Sequence, residues 1–346
     1  MQLWFATRVD MVSIFTMALV SSFCIVYRKV NDPVMLSLLL SYILTLQAIT
    51  IGSIRALINI EMKMVNVNRC FNLLDIPQEN IEGEQTVEVF RRDRPNWPEK
   101  GEVDFDNVVL RYRPTTEIVL NGLKFNVQPG EKVGIVGRTG AGKSTMCLAM
   151  SRIVEIVEGK IRIDGVDIRS LNLDMLRQSI TVIPQDPTMF TGSLRFNLDP
   201  ENRIGNDRIV EVLKEAQLED LLYKNEKGLD QELTENGGNL SSGERQLICI
   251  CRAILRSSKV VILDEATANI DVVTEQKIQR LIEMEFKEST MIVIAHRLNT
   301  IINSDKVMVL SFGEILEFDS PQNLMSDPAS EFSELLKEIE KEEKGK

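Results

Sequence analysis

Residues 137–144 read Gly137-Arg138-Thr139-Gly140-Ala141-Gly142-Lys143-Ser144 and directly follow the apolar run Val133-Gly134-Ile135-Val136. This stretch limits the possible folds most. A GxxxxGK[ST] loop between a strand and a helix turns backbone N–H groups inward and cradles phosphate at the helix N-terminus. Small residues are needed because the backbone itself must approach the anion. Lys143 is then placed to reach the β- and γ-phosphates of ATP, and the Ser144 hydroxyl to ligate Mg²⁺. Gly137, Thr139, Gly140, Ala141, Gly142 and Thr145 belong to the same phosphate-binding stretch.

Two further apolar runs match the first, Val260-Val261-Ile262-Leu263 and Met291-Ile292-Val293-Ile294. Strands without polar alternation are buried on both faces, which predicts an α/β fold with a parallel sheet covered by helices. Ligands bind at the carboxyl ends of such strands. The second run ends in Asp264-Glu265. Asp264 is placed to hold Mg²⁺ through its water shell, and Glu265 to polarise an attacking water. His296, the one histidine in the chain, follows the third run at the same sheet edge. A lone histidine is more often structural than catalytic, but its place beside Lys143 and Asp264 points to a γ-phosphate contact. Gln185 follows Ile180 to Ile183, and Tyr112 lies in Leu110-Arg111-Tyr112-Arg113-Pro114. Read alone, the first is a surface residue and the second a half-buried strand residue.

The N-terminal part obeys different rules. No charged residue occurs from Met11 to Tyr27 or from Pro33 to Ile54. A bilayer crossing needs about 20 apolar residues. The two runs, joined by Arg28-Lys29-Val30-Asn31-Asp32, read as a transmembrane hairpin at about 11–27 and 33–54. A signal peptide does not fit, because a second long apolar run follows the first. Lys/Arg counts on the two sides balance and leave orientation open. Beyond Ile54, Leu57, Ile60, Met64, Val67, Phe71 and Leu74 form a helical seam that reads as resting on a neighbour. The helix extends to 75 and is ended by Pro77. The expected organisation is 1–76 membrane part, 77–100 polar linker, 101–337 nucleotide-binding domain and 338–346 charged tail.

A net charge of −11, from 40 Lys and Arg against 51 Asp and Glu, argues against a nucleic-acid partner. Five cysteines with no CxxC pair, and a single histidine, give no zinc pattern.

Leu240-Ser241-Ser242-Gly243-Glu244-Arg245-Gln246 lies between the phosphate loop and Asp264. It resembles the LSGGQ signature of ABC ATPases. Together with Leu110 to Pro114, Gly134 to Gly140 and Phe196-Asn197-Leu198-Asp199-Pro200, it makes residues 101–337 similar to the second nucleotide-binding domain of the C subfamily of ABC transporters, the multidrug-resistance-associated type. The resemblance implies a P-loop ATPase fold with a RecA-like parallel core, an antiparallel β subdomain and a helical signature subdomain. It implies that Tyr112 stacks on adenine, that Gln185 senses Mg²⁺ and water, and that His296 is the switch histidine. Ala268 to Asp271 would form the D-loop. Ser241 and Gly243 would act in trans, on ATP held by a second nucleotide-binding domain. Ser242 and Glu244 depart from the signature and Ala268 from the usual D-loop serine; the first two bear on the partner's ATP. The implied function is ATP hydrolysis powering export of organic anions or conjugates, with the domain in the cytosol. Its expected partners are the lipid bilayer, the remaining transmembrane helices and the second nucleotide-binding domain. A family member has two transmembrane and two nucleotide domains, so one hairpin with one such domain is expected to be a fragment, or a short product that borrows a partner. The other reading is an ATP-binding regulatory or channel-gating module without turnover, since the cystic-fibrosis chloride channel belongs to the same subfamily.

Overall fold

The structure is a computed structural model that describes residues 2–27, 29, 32–76, 79, 87–223, 227–264, 272–294 and 301–344. It divides into two units, Met1–Asn80 and Ile81–Lys346.

The first unit is a pair of helices in contact with each other, α1 (Gln2–Val26) and α2 (Pro33–Leu74). Pro33 opens α2 at a position whose N–H needs no partner, and the Asp32 carboxylate caps it by accepting from Val34 N at 3.1 Å. Both helices are long and apolar enough to cross a membrane. Their polar side chains are satisfied internally: Thr16, Ser22, Thr45 and Thr50 each donate to a carbonyl one turn earlier. An apolar surrounding requires this of a hydroxyl. At 42 residues, α2 is about 63 Å long, roughly twice a bilayer core. Among the described residues, all six apolar residues of the seam from Leu57 to Leu74 are exposed.

The second unit holds all the strands. In chain order its elements are α3 (Val87–Asp93), β1 (Val103–Leu110), β2 (Leu120–Val127), β3 (Lys132–Val136), α4 (Lys143–Met150), β4 (Glu158–Ile163), β5 (Val166–Asp167), α5 (Leu173–Ser179) and β6 (Ile180–Ile183). They continue with β7 (Gly192–Ser193), α6 (Leu194–Leu198), α7 (Asn206–Glu215), α8 (Glu219–Tyr223), β8 (Glu232–Leu233), α9 (Ser242–Arg256), β9 (Val260–Asp264) and α10 (Val272–Glu285). The last are β10 (Thr290–Ile294), β11 (Lys306–Ser311), β12 (Glu314–Asp319), α11 (Pro321–Ser326) and α12 (Glu331–Lys344).

The main sheet has the order β12-β11-β3-β10-β9-β6, parallel except for the edge strand β12. Its central strands are buried along their length, as their unbroken apolar runs require. Alternate residues serve two cores. Val261, Leu263, Met291 and Val293 pack with α7, α9 and α10 on one face. Val133, Ile135, Val260, Ile262, Ile292 and Ile294 pack on the other with α4 and the antiparallel sheet β2-β1-β4-β5. The short pair β7-β8 lies in the mainly helical stretch between β6 and β9.

Of the segment read as a linker, 77–100, residues 87–100 pack within the second unit. Phe90 of α3 is buried and meets Trp97 edge-on at 5.5 Å. The indole N–H of Trp97 donates to Ile163 O at 3.0 Å. The Asp164 carboxylate accepts from the backbone N–H groups of Glu99, Lys100 and Glu102 at 2.7–3.0 Å. Burial of Phe90 and partial burial of Trp97 outweigh the polar composition that suggested a linker.

Candidate nucleotide site

Register places the site. Ile135, Ile294 and Asp264 are aligned across β3, β10 and β9, and Ile183 of β6 is aligned with Leu263. Four neighbouring strands therefore end at one level, and the residues after each strand start from the same crevice edge.

From β3 the chain enters the loop 137–142 and then α4, whose first residue is Lys143. Two glycines are forced here. A Cβ on Gly137 would stand 2.1 Å from Leu310 O, the backbone of the neighbouring strand. Gly142 caps α4 with φ +103°, and a Cβ there would meet Leu120 Cδ2 at 2.8 Å. The loop closes on itself through Ala141 N donating to Arg138 O at 3.1 Å. Lys143 is buried, and its Nζ donates to the carbonyls of Gly137 at 2.5 Å and Arg138 at 3.2 Å. The ammonium is thus held against the loop rather than extended into solvent. Ser144 is exposed beside it, while Thr145 is buried.

Asp264 ends β9 half-buried. Its charge is felt at α4: burial, then the Asp264 carboxylate, push the Cys147 thiol well above the usual range. Cys147 lies one turn beyond Lys143, so the acidic strand end and the phosphate loop's helix are close neighbours. Gln185 is exposed, two residues past Ile183. The Gln246 amide of α9 donates to Pro184 O at 3.4 Å, tying the signature helix to this strand end.

Tyr112 follows β1 of the antiparallel sheet with its ring half exposed, and its hydroxyl is 2.8 Å from the Thr145 hydroxyl. The aromatic ring and the phosphate helix are thereby linked across 33 residues of sequence. Sequence reading did not foresee this bond.

Ser241 is the N-cap of α9. Its hydroxyl accepts from Glu244 N at 3.2 Å, and the Glu244 carboxylate accepts from Ser241 N at 2.7 Å, a reciprocal capping box. The S-x-x-E spacing is visible in the sequence and explains a glutamate where the signature has glutamine. Gly243 is buried: a Cβ would stand 2.9 Å from Thr274 Cγ2 of α10. Among the described residues, neither Ser241 nor Gly243 hydrogen-bonds to the loop 137–144. Lys143, Ser144, Thr145, Asp264, Gln185 and Tyr112 come together; the signature residues start a separate helix. Glu265, His296 and the stretch 268–271 lie outside the described residues, Glu265 directly after Asp264 and His296 two positions after Ile294 in sequence.

The ABC transporter family pattern matches residues 120–268. Human ATP-binding cassette sub-family C member 2 is 42% identical over 325 residues, 94% of this chain and 21% of that protein. ABC transporter C family member 3 of Arabidopsis thaliana is 41% identical over 97% of this chain and 22% of its own length. Bile pigment transporter 1 of Saccharomyces cerevisiae is 42% identical over 87% of this chain and 20% of its own length. Among solved structures, a bacterial Atm1-family ABC exporter with ATP bound superimposes with a TM-score of 0.76 at 27% identity, covering 96% of this chain and 58% of the exporter chain. The chain spans about a fifth of the length of these curated relatives.

Proposed function

The chain belongs to the ABC transporters, in their C subfamily, with an ATP-binding domain of the P-loop ATPase fold, and from that premise we propose that it hydrolyses MgATP at the Lys143 loop to drive export across a membrane. The observation that carries this reading is the alignment of four strand ends, which brings Lys143, Ser144, Asp264 and Gln185 to one edge.

The chemistry of the donors fits Mg²⁺. Ser144, Asp264 and Gln185 offer oxygen ligands, the hard set this ion takes. Ser144 and Asp264 would hold it, and when bound it neutralises phosphate charge. The N–H groups of the 137–142 loop and the start of α4 hold the phosphates. Lys143 Nζ, poised on the Gly137 carbonyl, has only to exchange a loop carbonyl for a phosphate oxygen. Tyr112 presents its half-exposed ring to the adenine, with its edge fixed by Thr145. Glu265, next after Asp264, takes the proton of the attacking water, and His296 stabilises charge on the γ-phosphate; both roles rest on the family resemblance. Ser241 and Gly243 serve ATP on a second nucleotide-binding domain. The two apolar helices anchor the chain in a bilayer, with the second unit in the cytosol. Organic anions or conjugates are the proposed cargo.

Glu265→Gln separates turnover from binding. The expected result is unchanged ATP binding with phosphate release reduced at least about 100-fold, the scale of a lost general base. Unchanged release by the variant contradicts the role of Glu265. Tight binding without release in the wild-type chain, reconstituted with a second nucleotide domain, favours the regulatory reading instead.

A further inference from the structure

The second unit carries a cavity of about 350 Å³ where α3 and the residues after it meet the α5–β6 and α9–β9 turns. Four of its lining residues are cationic, Arg91, Arg94, Arg256 and Lys259, and none is acidic. In a chain with net charge −11, this concentration is not a by-product of overall basicity. Among the described residues, Arg91, Arg94 and Arg256 have no carboxylate within ion-pair distance. Lys259 has only a loose contact, 3.9 Å, with the highly exposed Glu288. One structural role is available to Arg256, which sits in the last turn of α9 and complements the negative end of that helix. That end carries about half an elementary charge and leaves the cavity strongly positive.

We propose that this cavity binds a ligand bearing phosphate ester groups, at a site separate from the nucleotide loop. Guanidinium forks match phosphate oxygens two at a time, and three arginines line this one depression. Gln178 and the exposed Ser257 add neutral donors on the lining. Four cations on one lining call for a ligand with more than one negative charge. The position excludes the nucleotide loop as its origin. The cavity lies at the amino ends of β6 and β9, while Asp264 and Gln185 lie at or beyond their carboxyl ends, about 15 Å away along strands rising ~3.3 Å per residue. A ligand here bridges α3 to the turn between α9 and β9, and so ties the segment entering the domain to the end of the signature helix.

The experiment uses the full chain in detergent-free phosphatidylcholine nanodiscs and two probes, soluble inositol trisphosphate and phosphatidylcholine vesicles containing phosphatidylinositol bisphosphate. Saturable binding of the soluble probe is expected, weakened about tenfold by each of Arg91→Gln, Arg94→Gln and Arg256→Gln, the loss of one charge-assisted contact. Lys143→Ala and Arg203→Gln, the latter a surface change elsewhere, leave binding unchanged. Equal sensitivity with both probes identifies a free phosphate ester as sufficient. Sensitivity to the three arginines with vesicles alone identifies a lipid headgroup, and both results support the site. Absence of saturable binding with both probes overturns it. So does binding that ignores the three arginine substitutions, or that is lost with Lys143→Ala.

Discussion

At the scale of single residues, the site depends on positions where the backbone leaves no room. Gly137 is the sharpest case, because its missing Cβ would collide with the fixed carbonyl of Leu310 rather than with a side chain that can move. Gly137→Ala is expected to cost about 1–3 kcal/mol of stability, the range for stored backbone strain, and to weaken nucleotide binding at least about tenfold. Chemical denaturation and nucleotide titration measure the two effects. The phosphate loop and the acidic strand end at Asp264 were legible in the sequence, because short motifs after apolar strands encode them locally; Gln185, read alone, was only a surface residue. The Tyr112–Thr145 hydrogen bond was not legible, since it joins the loop after β1 to α4 across 33 residues and no local pattern announces it. Tyr112→Phe keeps the ring and loses only this bond, so ATP affinity should change by a few-fold at most, whereas Tyr112→Ala should lose about 5- to 10-fold by removing a stacking partner. Equal losses in the two variants would contradict the stacking role.

At the scale of elements, Arg252 ties the signature helix α9 to the loop after β6 and to α6. The Arg252 guanidinium donates to Thr188 O at 2.6 Å, to the Asn197 side chain at 2.8 Å and to Asn197 O. Burial pulls its pKa below the usual arginine value, which marks the cost of placing a cation there. Arg252→Ala removes donors from acceptors shielded by the packed helix, so stability should fall by about 1–3 kcal/mol. Arg252→Lys restores only part, because one ammonium cannot reproduce the planar fork. Equal stability of the alanine variant and the wild type in urea would show the bonds to be ornamental. The same scale shows where sequence reading was weakest. Buried runs announced β3, β9 and β10, while α3 and Trp97 were absorbed into a supposed linker because their polar neighbours dominate the composition. The seam of α2 was legible as a helix.

At the scale of the whole molecule, two units follow two solvent rules: one apolar outward with its hydroxyls satisfied within its own helices, the other a two-sided parallel core. The second unit keeps three thiols out of reach. Burial raises the pKa of Cys147, Cys249 and Cys251, the last to about 12. At pH 8 the folded domain should leave all three unlabelled by a maleimide, and urea should expose all three. The linkage has a definite sign: their raised folded pKa values contribute stability that is full below the ordinary thiol pKa near 8.5 and declines as pH rises from there toward the folded values. Labelling of any of the three in the native domain would contradict their burial.

The central claim is that the Lys143 loop holds ATP, and equilibrium binding of MgATP to the wild-type chain and to Lys143→Ala tests it most directly. The account predicts saturable binding that falls at least about tenfold in the variant, the loss of charge-assisted contacts to phosphate. Equal affinity in the two proteins would place the nucleotide elsewhere and contradict the account.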